Sequence, residues 1–394
     1  MTVPFRHYVT DECVLSIFFR LVRFVIFFIT DSLVLFLRPK ETDIALIVRL
    51  DAIGDAAVWF QSGAGEVLEE LKRTHSKVVL LANANWAELA SALEVFDEVV
   101  PISPSTFMRN IIYRTKALSR IRLLGAKTIL QPRAAKVFLQ EDSIVRTSGC
   151  RRRIGIQGIA VNMSTRVLAF SNTLYTRIID PGITGRVHES ARNQALANQF
   201  SPIRGCPITP LELTTTCPPV VNQKYFVIAP GAGAAGRQWP IEKFAATCVA
   251  LQSQYGLKCV VVGAADEQKL ADQLRHFDFE FLDLTGKLTL SETTAVIMRS
   301  ELLVANESGL FHIAQWARRP VVSIVGGGHF GWFAPYPTSV DGGNGQICFK
   351  RMPCYNCNWI CVYDMPQDNP FPCVAAVPAD QVIEKCVAIL GEVA

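Results

Sequence analysis

Short apolar runs separated by helix-forming segments recur along the chain from residue 44. Four of them show no alternation of apolar and polar positions: IALIVRL at 44–50, KVVLL at 77–81, EVVPI at 98–102 and KTIL at 127–130. An unbroken apolar run is typical of a strand that is buried on both faces of a parallel sheet. The segments at 66–72, 86–93 and 108–124 are interpreted as helices, so the pattern predicts a doubly wound α/β sheet.

The same rhythm begins again at residue 225. Its strands are predicted at YFVI (225–228), KCVVV (258–262), ELLVA (301–305) and PVVSIV (320–325), with helices at 240–251 and up to 317. Five prolines between the two halves, Pro202, Pro207, Pro210, Pro218 and Pro219, indicate a connecting segment. We therefore predict a Rossmann-like domain at 41–200, a linker at 201–224 and a second Rossmann-like domain at 225–394, with a cleft between the two domains.

The stretch from Val14 to Leu37 is very apolar but carries Arg20, Arg23 and Asp31. These charges lie, with Glu12, Ser16 and Thr30, on one narrow stripe of a helix that Phe27 interrupts. A bilayer-spanning helix would bury each charge at a cost of about 2.5–3.5 kcal/mol. The pattern favours an amphipathic helix in residues 1–40 that lies in the membrane plane; a true span and a helix packed on the protein's own core are the alternatives.

Composition excludes two broad classes of protein. Half of the 394 residues are hydrophobic and 19% are charged, which leaves ample apolar material for two folded cores and does not suit a disordered chain. The net charge of +4 is too small for a dedicated nucleic-acid binder. We therefore expect no nucleic-acid partner, and a small, moderately acidic substrate fits better.

Four of the twelve cysteines are bunched near the C-terminus. Cys354, Cys357, Cys361 and Cys373 have the spacing C-x2-C-x3-C-x11-C, which is close enough for four thiolates to bind one tetrahedral ion. Sulfur ligands suit zinc and iron alike, and a site filled by four protein ligands is structural rather than catalytic. The predicted cysteine finger spans residues 348–373. The alternative is ordinary buried or free thiols, with Cys348 or Cys386 as substitute ligands.

Three turns after predicted strands carry candidate chemistry. Asp55 closes the turn DAIGD at 51–55, where it could also cap the following helix. The small residues of PGAGAAGR at 230–237 let backbone N–H groups approach a phosphate, and Arg237 adds positive charge. The segment NESG at 306–309 opens a helix whose free N–H groups can bind an anion.

Five ordered segments resemble glycosyltransferase family 9, the ADP-heptose:lipopolysaccharide heptosyltransferase family. They are IVRLDAIGD (47–55), PGAGAAGRQWPIEKFA (230–245), GAADE (263–267), TGKLTLSE (285–292) and NESGLFHIAQWARRPVVSIVG (306–326). The resemblance implies the two-domain GT-B fold, an inverting glycosyl transfer without a catalytic cofactor, and a nucleotide-sugar donor, with ADP-heptose as the family default. The cysteine segment resembles the iron finger of some family members that heptosylate autotransporter proteins.

The resemblance also assigns roles to individual residues. Asp55 matches the family's proposed general base, with Asp51 as a rival, and Arg237 would stabilise the leaving diphosphate. The donor would be bound by Gly231, Gly233, Glu267, Leu288, Glu307, Ser308, Gly309, Leu310 and His312. Glu267 would bind the ribose, Leu288 the base, and Glu307 the donor sugar, while His312 would donate to phosphate or support the loop. Each position also has a plainer interpretation, such as a surface arginine at 237 or an exposed glutamate at 267.

Two departures from the family pattern bear on the donor. Arg237 stands where the family usually has Lys, and a bidentate guanidinium does not copy the contacts of an ammonium. Glu307 stands where the family usually has Asp, which is one methylene shorter. The expected acceptor is lipopolysaccharide core or a lipid-linked glycan, bound by a cytoplasmic enzyme that is peripheral on the inner membrane. The alternatives are an autotransporter protein as acceptor, a non-catalytic scaffold, or an oxidoreductase. Against the last, neither glycine-rich turn gives a proper G-x-G-x-x-G followed by an acidic residue about twenty positions on.

Overall fold

The structure is a computed structural model that describes residues 14–183, 185–206, 208, 223–337, 345–366 and 368–391, with side chains from residue 22 onward. The chain forms two compact units. Unit 1 comprises Met1–Leu50, His75–Ala82 and Val100–Ile179, and unit 2 comprises Asp51–Thr74, Asn83–Val99 and Asp180–Ala394. The predicted linker at 201–224 falls largely outside the described residues.

A six-stranded sheet is formed by the first half of the chain, with the order β3-β2-β1-β4-β5-β6. All of its described pairings are parallel. Its strands are β1 (Thr42–Arg49), β2 (Lys77–Asn83), β3 (Glu98–Ile102), β4 (Ala126–Gln131), β5 (Arg152–Ile156) and β6 (Arg177–Ile179). The central strand β1 is buried from Ala45 to Arg49 because both faces of the sheet are covered, as the unbroken apolar run predicted.

The second sheet repeats this order in the second half of the chain, as β12-β11-β10-β7-β8-β9. Its described pairings are also parallel. The strands are β7 (Tyr225–Ala229), β8 (Lys258–Val261), β9 (Phe281–Asp283), β10 (Leu302–Asn306), β11 (Val321–Ile324) and β12 (Gly345–Cys348). In both sheets the strand order reverses beside the first strand, so two Rossmann-like halves are confirmed.

Fifteen helices connect or flank these strands in the described part of the chain. They are α1 (Val14–Val34), α2 (Ile53–Gln61), α3 (Ala64–Thr74), α4 (Ala87–Ala92), α5 (Pro104–Arg109), α6 (Ile111–Leu123), α7 (Ser143–Thr147), α8 (Thr165–Thr173), α9 (Glu189–Phe200), α10 (Ile241–Tyr255), α11 (Gln268–Leu274), α12 (Leu290–Met298), α13 (Gly309–Trp316), α14 (Pro372–Ala375) and α15 (Ala379–Gly391). The helix predicted at 108–124 is confirmed as α6 over 111–123, but it begins later than predicted because Asn110 separates it from α5. Asn110 adopts an extended conformation between α5 and α6, and its side chain caps α6 by accepting from the Tyr113 N–H at 3.0 Å.

Helix α1 packs on unit 1 along one stripe. Asp31 is buried in a bidentate pair with Arg114, at 2.6 Å for both oxygens, and the Arg114 guanidinium lies 4.6 Å from the centroid of Phe27. Phe27 interrupts the predicted polar stripe because it faces the same buried arginine as Asp31. Asp31 and Phe27 therefore anchor this helix to the domain. No helix among the described residues has the length and apolar character needed to cross a bilayer.

Candidate functional site

Helices α2 and α13 of unit 2 lie side by side with their starts together. A Cβ atom on Gly309 would overlap Ile53, and one on Gly54 would lie 2.8 Å from Cδ2 of His312. Seven residues further along each helix, the rings of Phe60 and Trp316 stack with centroids 5.1 Å apart. The glycines thus allow two helix N-termini, each the positive end of a helix dipole, to reach the same place.

Neither of these helix starts is capped by a side chain among the described residues. Ser308 is the N-cap of α13 and Ala52 is the N-cap of α2, and neither side chain forms a capping hydrogen bond. The first backbone N–H groups of a helix have no partner within the helix and can bind an anion. Two adjacent uncapped starts therefore form a site suited to a phosphate group.

Asp55 lies in the first turn of α2 and is half-buried. The N-cap position belongs to Ala52, so the interpretation of Asp55 as a helix cap was wrong. The rival carboxylate, Asp51, is buried, and its backbone carbonyl accepts from Asn83 Nδ2 at 3.0 Å and Trp86 Nε1 at 2.9 Å. Asp55 is the more accessible of the two beside the paired helix starts.

Asn306, the last residue of β10, fixes the loop that carries Arg237. Its Oδ1 accepts from the Trp239 N–H at 3.0 Å, and its Nδ2 donates to the Pro230 carbonyl at 2.7 Å. The Arg237 Nη2 group in turn donates to the Glu307 carbonyl at 2.9 Å. These bonds place the guanidinium next to the start of α13. Asn306 is the first residue of the NESG segment, but its role in holding this loop was not predicted.

Glu307 is a buried carboxyl group beside this arginine. It is 5% exposed, and its Oε2 atom has no hydrogen-bond partner among the described residues. Burial raises the pKa of Glu307 from 4.5 to about 7, although the nearby Arg237 acts in the opposite direction. A carboxyl with this pKa can both accept and donate a hydrogen bond near neutral pH, which suits contact with sugar hydroxyls.

We expect the Glu307→Gln variant to be more stable than the wild type at about pH 8, by about 1–3 kcal/mol, and similar to it at about pH 5. The unfolded chain ionises Glu307 above pH 4.5, whereas the folded protein resists ionisation up to about pH 7. The free-energy penalty of ionising the buried Glu307 carboxyl therefore grows between pH 4.5 and about pH 7 and stays constant above about pH 7. Urea unfolding at both pH values measures it, with the exposed Glu242→Gln as control. An equal stability difference between Glu307→Gln and the wild type at both pH values would contradict this prediction.

His312 is buried behind the start of α13 and is neutral. Its Nδ1 lies 2.8 Å from the Tyr336 hydroxyl, and burial lowers its pKa to about 3, with His188 and Arg237 adding to the effect. His188 also packs against Tyr336, with ring centroids 4.6 Å apart, and its Nε2 is paired with the Phe333 carbonyl at 2.8 Å, so this nitrogen carries the proton. These contacts favour support of the loop over a charged contact with phosphate. No sequence pattern indicated a role for Tyr336 or His188.

The remaining predicted donor residues lie around the loops after β7, β8 and β9, except for Leu310, which lies in α13. Glu267 Oε2 accepts from the Ala264 N–H at 2.8 Å, and its carboxyl fills the space that a Cβ on Gly231 would occupy. Burial raises the pKa of Glu267, so the position is not a fully solvated surface glutamate. Gly233 is open apart from Arg237 Nη1, 3.8 Å from its Cβ position. Leu288 and Leu310 are both partly buried against the same core cluster.

The four predicted cysteine ligands surround one small cavity. Cys354, Cys357, Cys361 and Cys373 line it together with Trp359, Tyr363, Phe371 and Pro372. Cys348 and Cys386 are buried in the hydrophobic core instead, which does not favour them as substitute ligands. Within the described residues, no group of three or more His, Cys, Asp or Glu side chains is arranged as a formed metal site.

Comparison with known proteins gives a consistent result. Residues 164–355 match the model of glycosyltransferase family 9 (heptosyltransferase). A segment of 103 residues, 25% of the chain, is 30% identical to lipooligosaccharide heptosyltransferase 2 of Haemophilus influenzae, and it spans 30% of the length of that relative.

Solved structures share the fold at low sequence identity. E. coli ADP-heptose LPS heptosyltransferase II superposes with a TM-score of 0.65 at 16% identity, over 89% of this chain and 99% of the other. The dodecameric iron-containing heptosyltransferase TibC, in complex with ADP-D-beta-D-heptose, gives 0.54 at 15% identity, over 91% and 78%. The likeness confirms the predicted GT-B fold. Residues 164–355 are therefore similar to glycosyltransferase family 9 (heptosyltransferase), and the fold of the chain is that of solved heptosyltransferases.

Proposed function

We propose that this protein is an inverting glycosyltransferase that moves heptose from ADP-heptose to a lipopolysaccharide core or a related surface glycan. The observation that carries the proposal is the pairing of α2 and α13, which brings a half-buried carboxylate next to two uncapped helix starts. A diphosphate leaving group needs such an anion site, and an attacking hydroxyl needs such a base. The names of the similar proteins support heptose and ADP as the donor components.

The reaction we propose is a single in-line displacement. Asp55 takes the proton from the acceptor hydroxyl as its oxygen forms a bond to the anomeric carbon. On the opposite face, the bond between that carbon and the diphosphate oxygen breaks, and the electron pair leaves with ADP. The amides at Ser308 and Gly309, together with Arg237, stabilise the departing charge, so no catalytic cofactor is required. Attack from the opposite face inverts the anomeric configuration.

The donor is expected to extend from the helix starts along the second sheet. Glu307 contacts the sugar hydroxyls, and the diphosphate lies between Arg237, the Gly231–Gly233 turn and the start of α13. Glu267 accepts from the ribose hydroxyls, and Leu288 packs against the base. Binding to the folded form raises its apparent stability, so thermal-shift measurements with ADP, UDP and GDP test the proposed nucleotide. A larger shift with UDP or GDP than with ADP would contradict it.

The acceptor distinguishes the two remaining versions of this function. The second version is transfer to an autotransporter protein, and the observation that favours it is the cysteine cavity, because TibC is described as iron-containing. Radiolabelled heptose would enter a lipopolysaccharide core acceptor in the first version and an autotransporter passenger protein in the second. Labelling of the protein alone would overturn the glycan acceptor and leave the donor chemistry intact.

We propose that the four cysteines bind one structural zinc or iron ion. The residues fit such an ion, because four thiols line a single cavity and the Gly327 N–H donates to Cys373 Sγ at 3.4 Å, a bond that would orient this ligand. Burial raises the pKa of Cys357 and of Cys373, and neighbouring cysteines raise it further, so a cation would be needed to hold these two as thiolates. Elemental analysis should find about one ion per chain and much less in Cys357→Ser. A metal-free wild type would contradict this.

We propose that unit 1 rests on an anionic membrane through α1 and α8. Helix α1 exposes the large apolar side chains Ile29 (56%) and Leu33 (59%), and the turn after it exposes Phe36 (79%). This apolar surface continues beyond the helix, because Phe24 stacks on Phe138 and Phe138 packs on Phe170 of α8, with both centroid distances 5.8 Å.

Charge supports the same membrane surface. Residues 100–179 contain 14 Lys and Arg residues and 2 Asp and Glu residues, whereas the whole chain has a net charge of only +4. The two acidic residues, Glu141 and Asp142, are buried. Basic side chains near an anionic surface contribute about 1 kcal/mol each, so a cationic unit with an apolar face suits an anionic leaflet.

The variant Ile29→Ser/Leu33→Ser/Phe36→Ser should lose about tenfold or more of its partitioning onto anionic vesicles, because it removes three apolar contacts with the bilayer. It leaves the buried Asp31–Arg114 pair intact, whereas deletion of residues 1–40 would leave Arg114 buried and unpaired. Sedimentation with vesicles of phosphatidylglycerol and phosphatidylethanolamine measures the binding, and the exposed Val249→Ser is the control. Equal sedimentation of the triple variant and wild type would contradict membrane contact through α1.

A further inference from the structure

We infer that Trp359, in the cysteine segment, is a positioning residue that holds Arg237 in the donor site. The inference rests on the proposed function in so far as Arg237 contacts the donor diphosphate. The Arg237 guanidinium carbon lies 4.4 Å from the centroid of the Trp359 ring. Indole is the aromatic group that attracts a cation most strongly, and stacking limits a guanidinium to one plane. The carbonyl of Glu307 holds the same guanidinium from the side of α13, at 2.9 Å.

The surrounding backbone is shaped to receive this indole. A Cβ on Gly326 would lie 2.8 Å from the Trp359 ring, and one on Gly328 would overlap it. Two backbone hydrogen bonds hold the segment that carries Trp359 against the turn at 326–328. The Asn356 N–H donates to the Gly327 carbonyl at 2.6 Å, and the Asn358 N–H donates to the Gly328 carbonyl at 3.1 Å. The indole is therefore a fitted part of the donor-side loops.

Stability alone does not favour a tryptophan here. Trp359 has a φ of 61° and Asn358 a φ of 55°, which is the left-handed region that a bulky residue rarely adopts. The indole Nε1 is buried and has no hydrogen-bond partner among the described residues, and Arg237 Nε is in the same situation. A strained backbone and unpaired buried donors persist where function requires them. Phenylalanine would provide a ring at this position without the unpaired N–H.

The cysteine cavity connects directly to this contact. Trp359 lies between Cys357 and Cys361 in sequence and lines the cavity with them. Phe371, which stacks on Trp359 with centroids 5.9 Å apart, also packs on Gly236, the residue before Arg237. The cysteine segment therefore contacts the donor-site arginine through the Trp359 ring.

The test compares Trp359→Leu, Trp359→Phe and wild type as full-length proteins. Leucine keeps apolar bulk but removes the π face, whereas phenylalanine keeps a π face without the N–H. Phenylglyoxal modifies guanidinium groups, and peptide mass spectrometry gives the rate at Arg237, with exposed Arg299 as internal reference. We expect faster modification of Arg237 in the Leu variant and a near wild-type rate in the Phe variant. ADP affinity, by calorimetry, should fall about 3- to 30-fold in the Leu variant and much less in the Phe variant.

The control is Ile360→Ala, because Ile360 is the next residue of the same segment and is 73% exposed. This variant should match the wild type in both measurements. Equal Arg237 modification in the Leu variant and the wild type would overturn the inference, and so would faster modification with unchanged ADP affinity. A wild-type protein that binds no ADP would instead sink the proposed function, and the modification rates would still show whether Trp359 holds Arg237.

Discussion

Replacement of Asp55 by alanine is expected to lower kcat by about 10²- to 10⁴-fold, the range that general bases contribute. ADP affinity should remain near that of the wild type, because the diphosphate contacts lie at Arg237 and the start of α13. Asp55→Asn should be nearly as inactive, since an amide cannot take the proton. Steady-state kinetics with a fixed acceptor, together with calorimetry for ADP, measure both quantities.

The matched control is Asp51→Asn, four residues earlier in the same turn. Its carboxyl is buried and its backbone carbonyl holds Asn83 and Trp86, so we expect an effect on thermal stability rather than on the pH dependence of turnover. If Asp51→Asn abolished turnover in a folded protein while Asp55→Ala stayed active, Asp51 would be the base.

Replacement of Arg237 by alanine should lower kcat/KM by about 10²- to 10³-fold, because it removes a charge that stabilises the leaving diphosphate. ADP affinity should fall as well, which separates this variant from Asp55→Ala. Arg237→Lys keeps the charge but loses the planar fork and its stacking on Trp359, so its activity should be intermediate. The exposed Arg299→Ala should behave as wild type. A kcat/KM for Arg237→Ala within a few-fold of the wild type would remove Arg237 from the reaction.

Buried strands were predictable because both faces of a parallel sheet need apolar residues. The strand predicted at 98–102 has the observed bounds, and those at 77–81 and 225–228 differ only at one end. Strands β5, β6, β9 and β12 were not predicted. Strand β5 begins with arginines, β6 and β9 have three residues each, and β12 lies next to the cysteine segment, so none offers a long apolar run. Short edge strands depend on tertiary pairing more than on local pattern.

The site was predictable only where one short segment carries the chemistry. The NESG segment and the Asp55 turn each indicate a helix start after a strand, and in the structure those two helix starts lie together. The contacts of Asn306, Tyr336 and Trp359 join residues that are 24 or more positions apart in the chain. The local pattern of apolar and polar residues could therefore not indicate them. The same limit applies to α1, where the partner of Asp31 is 83 residues away.

A crystal structure of the protein with ADP is the measurement that bears most directly on the paired helix starts as the diphosphate site. We expect the β-phosphate oxygens within hydrogen-bond distance of the backbone N–H groups at Ser308 and Gly309 and of the Arg237 guanidinium. A diphosphate bound elsewhere, with these amides in contact with solvent only, would contradict the proposed reaction.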